Sequence, residues 1–107
     1  RICAAEPKDV SVLLGQEPGL HQIQGIGDGF IPQVLDVDLI TDIVEVSDDD
    51  AIGTARSLAK VQGLLVGVSS GANIHAAVKM AEKYGKDKVI ATVLPDRMER
   101  YFSTSLI

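Results

Sequence analysis

The chain has 107 residues, 46% of them hydrophobic and 23% charged, enough for one modest core and too short for two domains. A formal charge of −5 argues against a nucleic-acid or anionic-membrane surface, no stretch is apolar for long enough to span a bilayer, and no signal peptide is expected at the start. Aromatics contribute 4% with no Trp, so aliphatic side chains and alanine must build the core.

The chain opens on Arg1, and R-I-C-A-A-E-P reads as a strand already under way, as expected for part of something longer. Ile2 to Ala5 form an apolar run stopped by Glu6-Pro7, a buried strand by pattern. Cys3, the single cysteine, excludes an internal disulfide, suits a reducing compartment and is expected as a small buried side chain. Val10 to Leu14 suit a short helix. From Gly15 to Pro32 turn residues accumulate, and a loop that long in a small domain is usually functional. Ile23, Ile26, Phe30 and Ile31 within it can anchor it to a core.

Ile43 to Val46 predict a second strand. Ser47 then caps a helix, with Asp50 three residues on and Asp48 to Asp50 complementing its positive end as a solvated first turn. Ile52, Ala55, Leu58, Ala59 and Gln62 follow helical spacing, and Gly63 terminates it. Leu64 to Val68 are apolar throughout, as in a strand covered on both faces. Ser70 to Tyr84 predict a second helix with Ile74, Ala77, Val78 and Ala81 on its apolar face and Gly85 at its end, and Val89 to Leu94 a fourth strand stopped by Pro95. Strands alternating with helices imply an α/β layer with parallel pairing and right-handed crossovers.

The stretch Gly67-Val68-Ser69-Ser70-Gly71 fits the G-x-S-x-G spacing of a nucleophile elbow. A hydrolase triad then needs an acid and a histidine further along. The only later histidine, His75, lies in the same helix, and His21 comes too early. Serine as a helix cap explains one of the two hydroxyls. A pair of serines and a glycine at the carboxyl end of a strand also marks where open α/β sheets bind ligands. The glycines of Gly25-Ile26-Gly27-Asp28-Gly29 are less specific: Phe30 stands where a dinucleotide fingerprint needs its third glycine, and no strand precedes them.

Three stretches, "PGLHQIQGIGDGFIP" (18–32), "GLLVGVSSGAN" (63–73) and "LPDRMERYFST" (94–104), together resemble the C-terminal third of cysteine synthase, or O-acetylserine sulfhydrylase, in order and with appropriate spacing. The resemblance runs over essentially the whole chain. It implies the larger pyridoxal-phosphate-binding domain of a fold-type-II enzyme, tryptophan synthase β-like, of which residues 1–107 are a single partial domain. The implied reaction is β-replacement: O-acetylserine and sulfide give cysteine and acetate. The implied cofactor is pyridoxal 5'-phosphate, and the implied setting is a cytoplasmic homodimer whose cleft can receive the tail of serine acetyltransferase.

By the same resemblance Ser69 corresponds to the serine whose hydroxyl meets the pyridine nitrogen of the cofactor, and Ser70 and Gly71 shape the helix start. Pro95 and Asp96 approach the ring side, and residues 25–29 (Gly25, Ile26, Gly27, Asp28 and Gly29) form a substrate loop that moves on closure. A neutral hydroxyl makes a weaker electron sink than a carboxylate would, which suffices for β-elimination of a good leaving group. The Schiff-base lysine, the loop for the substrate carboxylate and the phosphate cradle are expected upstream of Arg1. No catalytic residue or metal ligand is therefore expected in the chain itself; Lys79 and Lys83 read as solvent-facing, and the chain alone as inactive. Two positions depart from the family pattern: Asp28 replaces the usual alanine, and Met98 the usual glycine before Glu-Arg-Tyr. A cystathionine β-synthase-like enzyme shares the G-I-G-x-x-F-I-P core, and a non-catalytic, partner-binding α/β module is the alternative from another class.

Overall fold

The computed structural model describes residues 1–101, 103, 104 and 106. Two parallel strands, β1 (Cys3–Pro7) and β2 (Asp42–Val46), pair in the register Cys3 with Asp42 through Pro7 with Val46. The β-branched run Ile43, Val44 and Val46 suits a pleated, half-covered surface. Between them residues 8–41 travel as loop, pinned by two 3₁₀ turns. In the first (Val12–Leu14) the Ser11 hydroxyl accepts the Leu14 N–H at 3.3 Å while donating to the Glu6 carboxylate at 2.9 Å. In the second (Val37–Leu39) Asp36 accepts the Asp38 N–H at 3.1 Å.

Helix α1 (Asp48–Ser57) starts where the sequence places it: Ser47 Oγ accepts the Asp50 N–H at 3.0 Å. It widens into a π turn over Leu58–Gln62 and stops at Gly63, whose φ of 69° only glycine adopts freely. Helix α2 (Val68–Tyr84) packs along α1. The approach is close because residue 71 is glycine: a Cβ there would stand 2.1 Å from the Ala51 carbonyl oxygen. Ala51, Ile52 and Ala55 of α1, Ala72 and Ala76 of α2, Val46 and the loop residue Ile23 form the core between helices and sheet.

The far end of α2 is tied to β2 through Asp42. Its carboxylate accepts hydrogen bonds from Lys83 Nζ at 2.5 Å, Tyr84 Oη at 2.8 Å and Thr41 Oγ1 at 3.0 Å. The Lys83 bond, followed by the Tyr84 bond, holds the Asp42 pKa down at about 2. Lys79, by contrast, pairs only with Glu82 at the surface.

Four expectations need correction. Leu64–Val68 and Val89–Leu94 form no ladder among the described residues; Val66 makes a single antiparallel bridge with Arg97. A run is a strand only beside a neighbour, and here Leu65, Val89 and Val93 are exposed, Val89 to 98%. The observed parallel pair is thus β1 with β2, joined by loop and not by a helix. Second, the buried stripe of α2 is Ala72, Ala76 and Met80; Val78 and Ala81 lie exposed. Gly71 and His75 meet α1, while Ala76 and Met80 look towards Cys3 and Ala5 of β1, a division that a count of apolar positions does not reveal. Third, Cys3 is exposed, at the first position of β1 and beside open cavities that it lines with Met80, Ile90 and Ala91. Its sulfur is still partly shielded, and that desolvation, with the neighbouring Asp42 carboxylate, raises the thiol pKa. Fourth, Ile23 and Ile26 anchor the long loop as expected, whereas Phe30 and Ile31 are exposed.

Candidate active-site cleft

The chain leaves the π turn of α1 at Gly63, runs past Val66 and turns into α2 at Gly67. Segment 94–101 docks on this turn. The Gly67 N–H donates to Asp96 O at 3.1 Å, and the Met98 N–H to Leu65 O at 3.1 Å. Gly67 must be glycine for this contact, because a Cβ would lie 2.0 Å from Asp96 Oδ1 and 2.6 Å from the Tyr101 ring. The Asp96 carboxylate therefore rests against the amino-terminal end of α2, where the helix dipole favours an anion. Tyr101, in a 3₁₀ turn over Met98–Tyr101, donates its hydroxyl to Asp96 Oδ2, and Arg100 stands 3.8 Å from the same oxygen. Burial, followed by the bond to Asp96, pushes the Tyr101 pKa up to about 12.

An open cleft of about 390 Å³ lies over this turn. Its walls are Ser69 and Asn73 on α2, Pro95 and Asp96 on the docked segment, and Gln24, Gly25 and Ile26 on the glycine loop, with Arg100 and Tyr101 at the edge. Three regions far apart in sequence thus converge as the three quoted stretches require. Ser69 sits in the first turn of α2 and is only 4% exposed. Asn73, one turn further along the same face, donates from Nδ2 to Val93 O at 3.0 Å and so ties α2 to the segment entering Pro95.

Not every predicted site residue reaches the cleft. Ser70 is fully buried behind Ser69, and its hydroxyl has no hydrogen-bond partner among the described residues. Gly71 faces α1. Gly27 and Gly29, at φ 61° and 88°, turn the loop back towards Pro7 and Pro18, and Asp28 between them is exposed. Phe102 of the third stretch lies outside the described residues. Met98 begins the 3₁₀ turn and packs against the core. The sequence reading passed over Gln24, Asn73, Arg100 and Tyr101. Asn73 could have been found as the residue four after Ser69, which an α-helix places on the same side.

Chemically the cleft suits the ring end of a heteroaromatic cofactor better than a phosphate. Its one basic side chain, Arg100, is already beside Asp96, while the Ser69 hydroxyl at the helix start offers a neutral donor. Asp96 Oδ1 is buried against Gly67 with no hydrogen-bond partner among the described residues.

Comparison with known proteins agrees with this geometry. Residues 1–96 match the family described as pyridoxal-phosphate dependent enzyme. The chain belongs to that family. A cysteine synthase from Staphylococcus aureus is 48% identical over 105 residues, which cover 98% of this chain and 34% of the relative. The crystal structure of cysteine synthase from Entamoeba histolytica superposes with a TM-score of 0.94 at 42% identity, over 99% of this chain and 32% of that one. That of an O-acetylserine dependent cystathionine β-synthase from Helicobacter pylori gives 0.88 at 41%, over 99% and 34%. The chain therefore spans about a third of the length of the pyridoxal-phosphate dependent enzymes it matches. Its architecture is the α/β, fold-type-II arrangement of those relatives. Membership of this family implies pyridoxal phosphate as the cofactor of the complete enzyme.

Proposed function

We propose that this chain supplies the pyridine-side wall and the substrate loop of a cysteine synthase, which makes L-cysteine and acetate from O-acetylserine and sulfide. The observation that carries the reading is the convergence of Ser69, Pro95–Asp96 and Gly25–Ile26 on one cleft at the start of α2. When bound, the cofactor supplies the electron sink for β-replacement. The chain's own residues position it. The Ser69 hydroxyl would donate to the ring nitrogen, which would then carry no proton, while Asn73 ties α2 to the segment leading to Pro95 and the loop around Gly25 lines the same cleft.

The test is Ser69→Ala in the complete enzyme that carries this chain. The cofactor absorbance should shift and the β-elimination rate fall, on the order of tenfold for a lost hydrogen bond to the ring. An unchanged spectrum and rate would remove Ser69 from the role. The match to an O-acetylserine dependent cystathionine β-synthase supports a second reading, in which a thiol amino acid replaces sulfide. Competing the two nucleophiles against each other in one assay decides between them.

No helix of the described residues is long and apolar enough to cross a membrane. We place the enzyme in the cytoplasm as a homodimer, able to bind the tail of serine acetyltransferase in its cleft. The support is the family resemblance and the single, unpaired cysteine. Sedimentation of the complete enzyme, with and without that acetyltransferase, tests both associations.

A further inference from the structure

The loop that forms one wall of the cleft is braced from within by a single ring. His21 Nδ1 accepts the Ile23 N–H at 3.1 Å, and His21 Nε2 lies 3.2 Å from Gly27 O. A nitrogen that accepts an amide proton carries none itself, so the neutral ring bears its proton on Nε2, and that proton is donated to Gly27 O. One side chain thus closes residues 21–27 into a loop through both of its nitrogens. Gln24, Gly25 and Ile26, the loop's residues at the cleft, lie between the two attachment points.

The surroundings leave the brace little freedom. Ile23 is fully buried, which fixes one arm. Gly27 presses so close to Pro7 that a Cβ would fall 2.3 Å from its Cγ, which fixes the other. The adjacent Gln22 N–H is held at 2.9 Å by Asp48 at the start of α1. Between these anchors Gly25 has a φ of 95°, a conformation with no side-chain packing to hold it: nothing stands within 4 Å of where its Cβ would be. Ile26 packs against the core, so the ring's restraint matters most for Gln24 and Gly25, which are exposed.

We infer that His21 is a positioning residue, whose two-sided hydrogen bonding sets the Gly25–Ile26 backbone opposite Ser69 for substrate binding. This rests on the cleft being the O-acetylserine site. Ser69 and Asp96 stand on other elements, so loss of the brace should leave the cofactor's surroundings intact while loosening the substrate wall.

The experiment compares the complete wild-type enzyme with His21→Ala, His21→Asn and His21→Gln. Asn retains an acceptor near the Nδ1 position, and Gln a donor near the Nε2 position. In His21→Ala, amide hydrogen exchange across residues 22–29 should quicken and the KM for O-acetylserine rise roughly three- to tenfold, with kcat less affected and the cofactor absorbance unchanged. The single-arm variants should fall between the wild type and His21→Ala in exchange and KM. Unchanged exchange in His21→Ala would overturn the brace, and faster exchange with unchanged KM would overturn its positioning role. A shifted cofactor spectrum with KM and kcat disturbed alike in every variant would assign His21 to general stability instead. A wild type that consumes no O-acetylserine would overturn the functional reading, and with it the link to substrate, while the exchange comparison still decides the brace.

Discussion

Replacing Gly71 by alanine tests whether the α1–α2 contact is set by backbone approach. The added Cβ would lie 2.1 Å from Ala51 O and 3.0 Å from both Ala55 Cβ and Ala55 N. A carbon–oxygen contact normally needs about 3.3 Å, so the helices must separate by roughly 1 Å. Ala51 O is backbone inside α1 and cannot swing aside as a long side chain would. Overpacking of this kind costs about 1–3 kcal/mol, against which alanine's better helix propensity returns up to about 1 kcal/mol. The expected net is a loss of up to about 3 kcal/mol, or about 2 kcal/mol where the full propensity gain is returned. Gly53 provides the control: it sits in α1, exposed, with nothing within 4 Å of its would-be Cβ. The same substitution there should stabilise by about 0.5–1 kcal/mol. Urea denaturation of the complete enzyme, followed by circular dichroism, should therefore move the two midpoints in opposite directions. A Gly71→Ala midpoint at or above wild type would refute the close-approach argument, because propensity alone would then account for both positions.

Two further outcomes concern titration. Tyr101 should ionise near pH 12 instead of 10, as read by ultraviolet absorbance. Since its pKa is raised in the folded state, the stability it contributes is complete below about pH 10 and is lost as pH rises through 12; Tyr101→Phe should abolish that alkaline loss. Asp42 has the opposite sign. Its pKa of about 2 lies below its ordinary 3.8, so its contribution is complete above pH 3.8 and disappears as pH falls through 2. Removing its first partner by Lys83→Met should raise the Asp42 titration in carbon NMR, and an unmoved titration would show that Lys83 is not what depresses it.

Some local signals in this chain were legible and one was not: the serine expected to cap α2 does not, because the helix begins at Val68 with Gly67 as its cap and no side-chain hydrogen bond there. Ser47 caps α1 as expected from its hydroxyl, and Gly63 ends the π turn because it alone takes φ 69° without strain. What could not be read was anything that depends on a partner distant in sequence. The runs 64–68 and 89–94 have the composition of buried strands, yet composition does not say whether a neighbour lies alongside. The buried side of α2 was hidden for a related reason: Ala72, Ala76 and Met80 are covered by neighbours distant in sequence, while the larger Val78 lies exposed.

The Gly-Val-Ser-Ser-Gly turn unites both kinds of information. Its two glycines are four residues apart, and each permits a different close approach. Gly67 admits the Asp96 carboxylate and the Tyr101 ring; Gly71 admits the α1 backbone at Ala51. Both demands are steric, and neither involves a ligand directly. They nevertheless determine where Ser69 stands, because a helix held at its cap by one glycine and along its flank by the other has no freedom to rotate. The residues between them are thereby sorted: Ser70 turns inward and is fully buried, and Ser69 is left facing the cleft. A motif that reads as a nucleophile elbow by spacing is thus, by packing, a device for aiming one hydroxyl. The position of Ser69 therefore depends on Gly67, since any side chain at 67 would displace Asp96 and shift the first turn of α2 with it.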